Sequence, residues 1–247
     1  DRGGRGLDFD AMIGALDGLP AGSIVLLHAC CHNPTGADPT PAQWERIVTT
    51  VRARGLVPFL DLAYQGFGDG LDADGAAVRR FAATAGPLLI ASSFSKSFSL
   101  YGERVGALTA VTASKDEAAR VLSQVKRVIR ANYSNPPMHG GQIVTMILNS
   151  VELRALWEAE LATMRDRIKA MRLALVSHLA AAGVDQDLSY ITRQQGMFSY
   201  SGMSAAQMQR LRSEFGVYGV DSGRICVAAL NEHNLAAVAK AIAQVMR

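Results

Sequence analysis

Short apolar runs alternate with capped helical segments through the first half of this chain, and that alternation narrows the fold more than any other feature. Ile24–Cys31 reads IVLLHACC, too brief for a helix and bounded by turn residues, so it predicts a buried strand. Just beyond it, Thr40 and Gln43 form a capping box, Pro41 takes the first helical position and Gly55 the C-terminal cap. Leu56–Ala63 predicts a second strand, Val78–Ala85 a helix, Leu88–Ser92 a third strand and Gly106–Thr112 a fourth. Ser114 and Glu117 cap a further helix reaching about Ala131. Strands alternating with capped helices predict an α/β domain built on a mostly parallel sheet.

The second half changes character. From Asn149 to Ala182, Val151, Leu156, Leu161, Met164, Ile168, Met171, Leu175 and Leu179 recur at intervals of three to five residues, and charged residues mostly fill the other face. This predicts one helix of about 33 residues, roughly 50 Å long, ended by Gly183 and long enough to bridge two domains. Beyond it come GMFSYSG, a helix capped by Ser204 and Gln207, strands at VYGV and RICVAA, and a C-terminal helix from about Asn234. These predict a smaller α+β domain.

Bulk properties exclude some functions. With 25 basic and 22 acidic residues the formal net charge is +3, too balanced for a dedicated nucleic-acid binder. The opening Asp1–Gly6, DRGGRG, offers one RGG-like copy, which reads better as a loop with solvated arginines than as an RNA contact. Three cysteines, with Cys30 and Cys31 adjacent in an apolar run, make no disulfide framework and suit reduced thiols in a cytoplasmic setting. No apolar run approaches the ~18 residues of a membrane span and no signal peptide opens the chain, so a soluble intracellular protein is expected. The sequence lacks an initiator methionine, which raises the expectation of a fragment.

In open parallel sheets, ligands bind at the carboxyl ends of the strands. Those ends carry His28, His32, Asn33, Pro34, Thr35 and Gly36 after the first strand, Asp61, Ala63 and Tyr64 after the second, and Ser93, Ser95 and Lys96 after the third, with Arg104 close behind. Taken singly, each has a plain structural explanation. Asn-Pro-Thr-Gly is a turn, Asp61 caps a loop, Tyr64 is a core ring, and Lys96 in ASSFSKSFS is a solvated lysine. His28 and His32 face the same way on a strand, yet no third ligand follows at a sensible spacing, so no metal site is expected. Together, the set supplies what a phosphorylated pyridine aldehyde needs from a protein. Lys96 provides the amine, Asp61 an acid for the ring nitrogen, Asn33 and Tyr64 donors for the phenolic oxygen, and Ser93, Ser95 and Arg104 a phosphate site.

The motifs HACCHNPTG, FLDLAYQGFG, SSFSKSFSLYGERVG, RANYSNPP, GMFSYSG and SGRICVA resemble, in order and spacing, the successive signatures of the class I aspartate/aromatic amino acid aminotransferases. These are pyridoxal 5'-phosphate enzymes of fold type I, and the likeness runs from about Leu7 to the C-terminus. It implies a large domain over residues 1–163, including the start of a connecting helix at 150–182, and a small domain over 164–247. Lys96 resembles the family's cofactor lysine, which then shuttles a proton at the substrate Cα. The resemblance gives His28 a place behind Asp61 and packs Ala63 on the cofactor ring. It also implies that Arg224 grips the substrate α-carboxylate, that Phe198 lines the pocket, and that Arg130 reaches across a homodimer to a second carboxylate. The implied reaction is ping-pong transamination of aspartate or aromatic amino acids with 2-oxoglutarate.

Relative to the family the chain starts deep inside the large domain. The resemblance implies that roughly the first third of the family's length lies outside this sequence, and with it an N-terminal arm, the turn that caps the phosphate, an aromatic over the ring and a tyrosine supplied by the partner subunit. Unpaired strands and exposed apolar faces are expected in consequence. Cys226 stands where a polar residue is expected, and Gly219 softens the strand ahead of Arg224. Two other readings keep the fold: a lyase or decarboxylase using the same cofactor, and a non-catalytic module. Arg130 and Arg224 favour transamination, and the intact Lys96, Asp61, Arg104 and Arg224 set favours an enzyme.

Overall fold

The main sheet runs β1 (Ile24–His28), β2 (Val57–Leu62), β3 (Leu88–Ser93) and β4 (Gly106–Val111) in that spatial order. The first three are parallel, and β4 closes the edge antiparallel to β3. The computed structural model describes residues 6–247. All of the DRGGRG opening except Gly6 therefore lies outside the described residues. The chain divides into two compact units.

The sheet belongs to the unit formed by Phe9–Cys30 and Pro39–Leu161. Its helices are α1 (Phe9–Asp17), α2 (Pro41–Ala53), α3 (Leu71–Asp74), α4 (Ala76–Ala82), α5 (Lys115–Asn132), α6 (Met138–Asn149) and the first part of α7 (Val151–Ala181). The expected capping box holds at α2: Thr40 accepts from the Gln43 N–H, and Gln43 accepts from the Thr40 N–H. Trp44, Ile47, Val48 and Val51 of α2 and Phe81 of α4 are buried, as are Val25, Leu27, Leu60, Leu62, Leu88 and Ile90 of the strands. Those strand positions alternate, so one sheet face carries the core. The opposite face leaves Ile24 64% and Leu26 60% exposed, in line with the expected bare apolar surface. Arg52, at the end of α2, donates to the carbonyls of Phe81 and Pro87 and to Thr84 Oγ1. It thereby ties the helix to the loop that enters β3.

β1 is shorter than its apolar run. The chain leaves the sheet after His28, and Cys31 takes a φ of 53°. The N–H groups of Cys31 and His32 instead donate to the Asp38 carboxylate at 2.6 and 2.8 Å. A local carboxylate has replaced the strand ladder there.

The second unit contains Cys31–Asp38 and Ala162–Arg247, with the described residues up to Asp8. The rest of α7 is followed by α8 (Tyr190–Arg193), β5 (Phe198–Tyr200), α9 (Ala205–Phe215), β6 (Arg224–Cys226) and α10 (Leu235–Met246). Ile168, Leu175 and Leu179 of α7 are buried, as are Ile191, Met208, Leu211 and Ile242 of the same unit. The long helix starts at Val151 rather than Asn149 because Ser150 interrupts it, its Oγ accepting from the Leu153 N–H. Val151 is 87% and Leu156 60% exposed, so the first turns of the anticipated apolar stripe face outward. The capping box Ser204/Gln207 opens α9 as read from sequence. VYGV does not form a strand. Gly216 ends α9 at a φ of 65°, and the strand that pairs with β6 is β5, antiparallel, with Phe198 opposite Cys226 and Tyr200 opposite Arg224.

Candidate active site

In the sheet unit the anticipated residues gather at the carboxyl ends of β1, β2 and β3. His28 and Asp61 are register partners, with Nε2 4.0 Å from Oδ2. Asp61 in turn lies opposite Ala91, two residues before Ser93. The pleat therefore puts His28, Asp61 and Ser93 on the same sheet face, the one the core does not occupy. The Ala29 N–H donates to the Asp61 carbonyl at 2.9 Å and carries the ladder one step past the strand.

Beyond β2 the chain runs through half-buried Ala63 and buried Tyr64 into a loop organised by one carboxylate. Asp74, only 5% exposed, accepts from the N–H groups of Gly66, Gly68 and Asp69 at 2.7, 2.9 and 2.8 Å. Gly66 has a φ of 97°, and a Cβ there would run into the side chain of Leu161, so glycine suits the turn on both counts. Sequence reading did not single out Asp74, although its fixed loop begins immediately after Tyr64.

Beyond β3, the Ser95 N–H donates to Ser93 Oγ at 3.2 Å, and Ser95 is buried. Lys96 sits in a turn closed by Phe98 N–H to the Phe94 carbonyl and Ser99 N–H to the Lys96 carbonyl. Trp157 of α7 clamps this turn, donating Nε1 to the Ser97 carbonyl at 2.7 Å and stacking on Phe98 with centroids 4.4 Å apart. The half-buried Lys96 ammonium lies 4.6 Å from the Tyr64 ring centroid, a cation–π distance. Arg104 reaches the same sheet end through the backbone. Gly106 pairs with Ser93, and the Phe94 N–H donates to the Val105 carbonyl. Its own guanidinium is exposed and donates to the Tyr101 carbonyl, with Arg104 at a φ of 54°. Arg130, in the last turn of α5, is also exposed and donates to Ser134 Oγ.

The second unit brings together Asn33, Arg224 and Phe198. Arg224 Nη1 donates to Asn33 Oδ1 at 3.0 Å, and its guanidinium carbon lies 4.6 Å from the Phe198 ring centroid. A half-buried guanidinium with one edge on an amide oxygen and its face on an aromatic ring is well oriented to take a carboxylate on its remaining donors. Sequence reading missed Arg172, which is buried in this unit. The available signal was its register, four residues after Ile168 and three before Leu175, on the apolar face of α7.

Among the described residues, no helix is long and apolar enough to cross a membrane. The sequence profile of the family described as aminotransferase class I and II matches residues 1–242. The chain is 60% identical over 246 residues to an aspartate aminotransferase of Pseudomonas aeruginosa, covering 100% of this chain and 62% of that protein. It is 52% identical, with the same coverage, to the aromatic-amino-acid aminotransferase of Escherichia coli. Among solved structures, an aromatic-amino-acid aminotransferase from Burkholderia pseudomallei covalently bound to pyridoxal phosphate superposes with a TM-score of 0.98 at 63% identity, over 100% of this chain and 62% of that one. The chain thus spans about 62% of the length of these relatives. Matched along almost its whole length by sequence and fold alike, this chain belongs to the class I and II aminotransferase family.

Proposed function

We propose that the chain carries the cofactor and substrate residues of a pyridoxal 5'-phosphate-dependent aminotransferase acting on aspartate, aromatic amino acids or both, with 2-oxoglutarate as acceptor. The observation that carries this reading is the convergence of an imidazole, a carboxylate, an amine and two serine hydroxyls on the carboxyl ends of three parallel strands. That donor set fits the aldehyde, ring nitrogen and phosphate of the cofactor. The relative covalently bound to pyridoxal phosphate supports it. When bound, the cofactor supplies an electron sink for the charge released at the substrate Cα.

Lys96 would hold the cofactor through its amine and move the proton at Cα. Asp61, steadied by His28, would keep a proton on the ring nitrogen. Tyr64 and Asn33 would donate to the phenolic oxygen, Ala63 would pack on the ring, and Ser93, Ser95 and Arg104 would bind the phosphate. Arg224 grips the α-carboxylate beside Phe198, while Arg130 serves a second carboxylate across a homodimer. On this reading the large domain would cover 1–163 and the small one 164–247, in a cytoplasmic enzyme, whereas the compact units divide the chain differently, with Cys31–Asp38 grouped with Ala162–Arg247. The names of the relatives support transamination over a lyase reaction.

Reduction with borohydride after incubation with pyridoxal phosphate, followed by intact mass and peptide mapping, tests the reading. One reduced pyridoxyl phosphate on Lys96 is the expected outcome, with keto acid formed from aspartate or phenylalanine and no carbon dioxide released. Label on surface lysines and none on Lys96 would refute it.

A further inference from the structure

Arg172 is 2% exposed, and no carboxylate is among its hydrogen-bond partners. It donates instead to four acceptors within one short stretch. Nη2 reaches the carbonyls of Gly196 and Phe198 at 2.6 and 2.8 Å, and Nη1 reaches the Ile191 carbonyl at 3.4 Å and Ser199 Oγ. A buried cation is tolerable only where such acceptors replace water. These four run from α8 through Gly196 into β5, so the fork fixes this stretch at several points at once.

The other side of that strand segment is fixed by the piece of chain that carries Asn33. The Gln195 N–H donates to the Gly36 carbonyl at 2.7 Å, and the Tyr200 N–H to the Thr35 carbonyl at 3.4 Å. Gly196, at a φ of 80°, lies so close to Cys31 that an added Cβ would meet its Cβ at 2.5 Å. Residues 194–200 are therefore held between Arg172 and the Cys31–Asp38 segment. β5 then sets β6, since Tyr200 is paired with Arg224 and Phe198 with Cys226. Every member of the Asn33–Arg224–Phe198 cluster is one or two contacts from this clamp.

We infer that Arg172 is a positioning residue for carboxylate recognition, its guanidinium setting the alignment of β5 on which the Arg224 grip depends. The inference rests on the reading of Arg224 as the α-carboxylate residue. Arg172 itself touches no substrate. A lysine in its place keeps the charge but loses the planar fork, and cannot hold both the strand carbonyls and Ser199 in one plane.

The test measures the dissociation constant of succinate, an unreactive dicarboxylate, by calorimetry on the pyridoxal phosphate-loaded chain. Wild type is compared with Arg172→Lys and Ser199→Ala, and borohydride-trapped cofactor mass and far-UV circular dichroism are recorded for each. The expected result is affinity about tenfold weaker in Arg172→Lys and about threefold weaker in Ser199→Ala, with trapped cofactor and helix content unchanged. Equal affinity in the folded variants would overturn the inference and leave the aminotransferase reading standing. Should Arg172→Lys not fold, Ser199→Ala decides, and wild-type affinity there overturns it. A wild-type chain that traps cofactor on Lys96 but binds no succinate removes the carboxylate role of Arg224, and this inference falls with it.

Discussion

Among the described residues each unit buries one charged side chain, Asp74 in the one and Arg172 in the other, and the two do opposite jobs at different ranges. In the sheet unit, Asp74 collects N–H groups from residues five to eight positions before it and stiffens the loop after Tyr64. In the other unit, Arg172 collects carbonyls from residues 19 to 26 positions after it and stiffens β5. The carboxylate closes a local turn, which can form as soon as its own few residues meet. The guanidinium joins a helix to a strand and has no function until both exist. Local anchoring thus stiffens the loop after Tyr64, and tertiary anchoring the strand that carries Phe198.

The sharpest way to separate these halves is Lys96→Ala. It should abolish the trapped cofactor mass entirely while leaving the Asn33–Arg224 contact in place. Mass spectrometry after reduction reads the first, and hydrogen exchange across β5 and β6 the second. Next in size, Arg172→Met should lower unfolding free energy by about 4 kcal/mol in urea titration, because it orphans several buried acceptors. The same position predicts a pH dependence. Burial pulls the Arg172 guanidinium down to about 10, with Cys31 opposing the shift. The unfolded chain keeps that proton to higher pH. Burying the charge therefore costs stability fully below pH ~10, and the cost is relieved as pH rises above it. Stability measured from about pH 9 to pH 11 should show this relief in wild type and lose it in Arg172→Met.

Asp74→Asn sharpens the comparison from the other side. The amide offers donors where three N–H groups point, so about 2–3 kcal/mol should be lost, together with cofactor retention, while succinate affinity changes little. A smaller effect is expected for Arg224→Lys, about tenfold weaker succinate binding with trapped cofactor unchanged. Smallest are the matched caps. Thr40→Ala in one unit and Ser204→Ala in the other should each cost about 1 kcal/mol, since both open a helix with the same reciprocal box. Unequal losses in urea titration would mean that tertiary contacts, such as Gln207 Nε2 donating to the Val245 carbonyl, add to one cap.

What could be read from the residues follows the same divide. Capping boxes, the three parallel strands and the residues at their carboxyl ends were legible because each signal lies within a few positions. The β5–β6 pairing was not, since VYGV has the pattern of a strand and only the placement of β5 excludes it. α1 and α6 escaped notice, α6 for want of a capping side chain, with Pro137 preceding it and offering no side-chain hydrogen bond. The exposure of Val151 and Leu156 follows from what surrounds α7, not from their spacing. Arg172 was hidden because an arginine in a charged helix reads as solvated until its neighbours on the same face prove buried. The departure of the chain from β1 after His28 was, by contrast, a local signal left unread: Asp38 waits there as acceptor for two N–H groups.

The Asn33–Arg224 hydrogen bond joins residues 191 positions apart. During synthesis, Asn33 and the whole Lys96 turn leave the ribosome long before Arg224 is made. The sheet unit can therefore settle early from nearby contacts, whereas the Cys31–Asp38 segment must wait, with its final partners still untranslated, until β5 and β6 emerge. The Asn33–Arg224 contact is accordingly among the last this chain can form, and it goes when the C-terminal strands come apart.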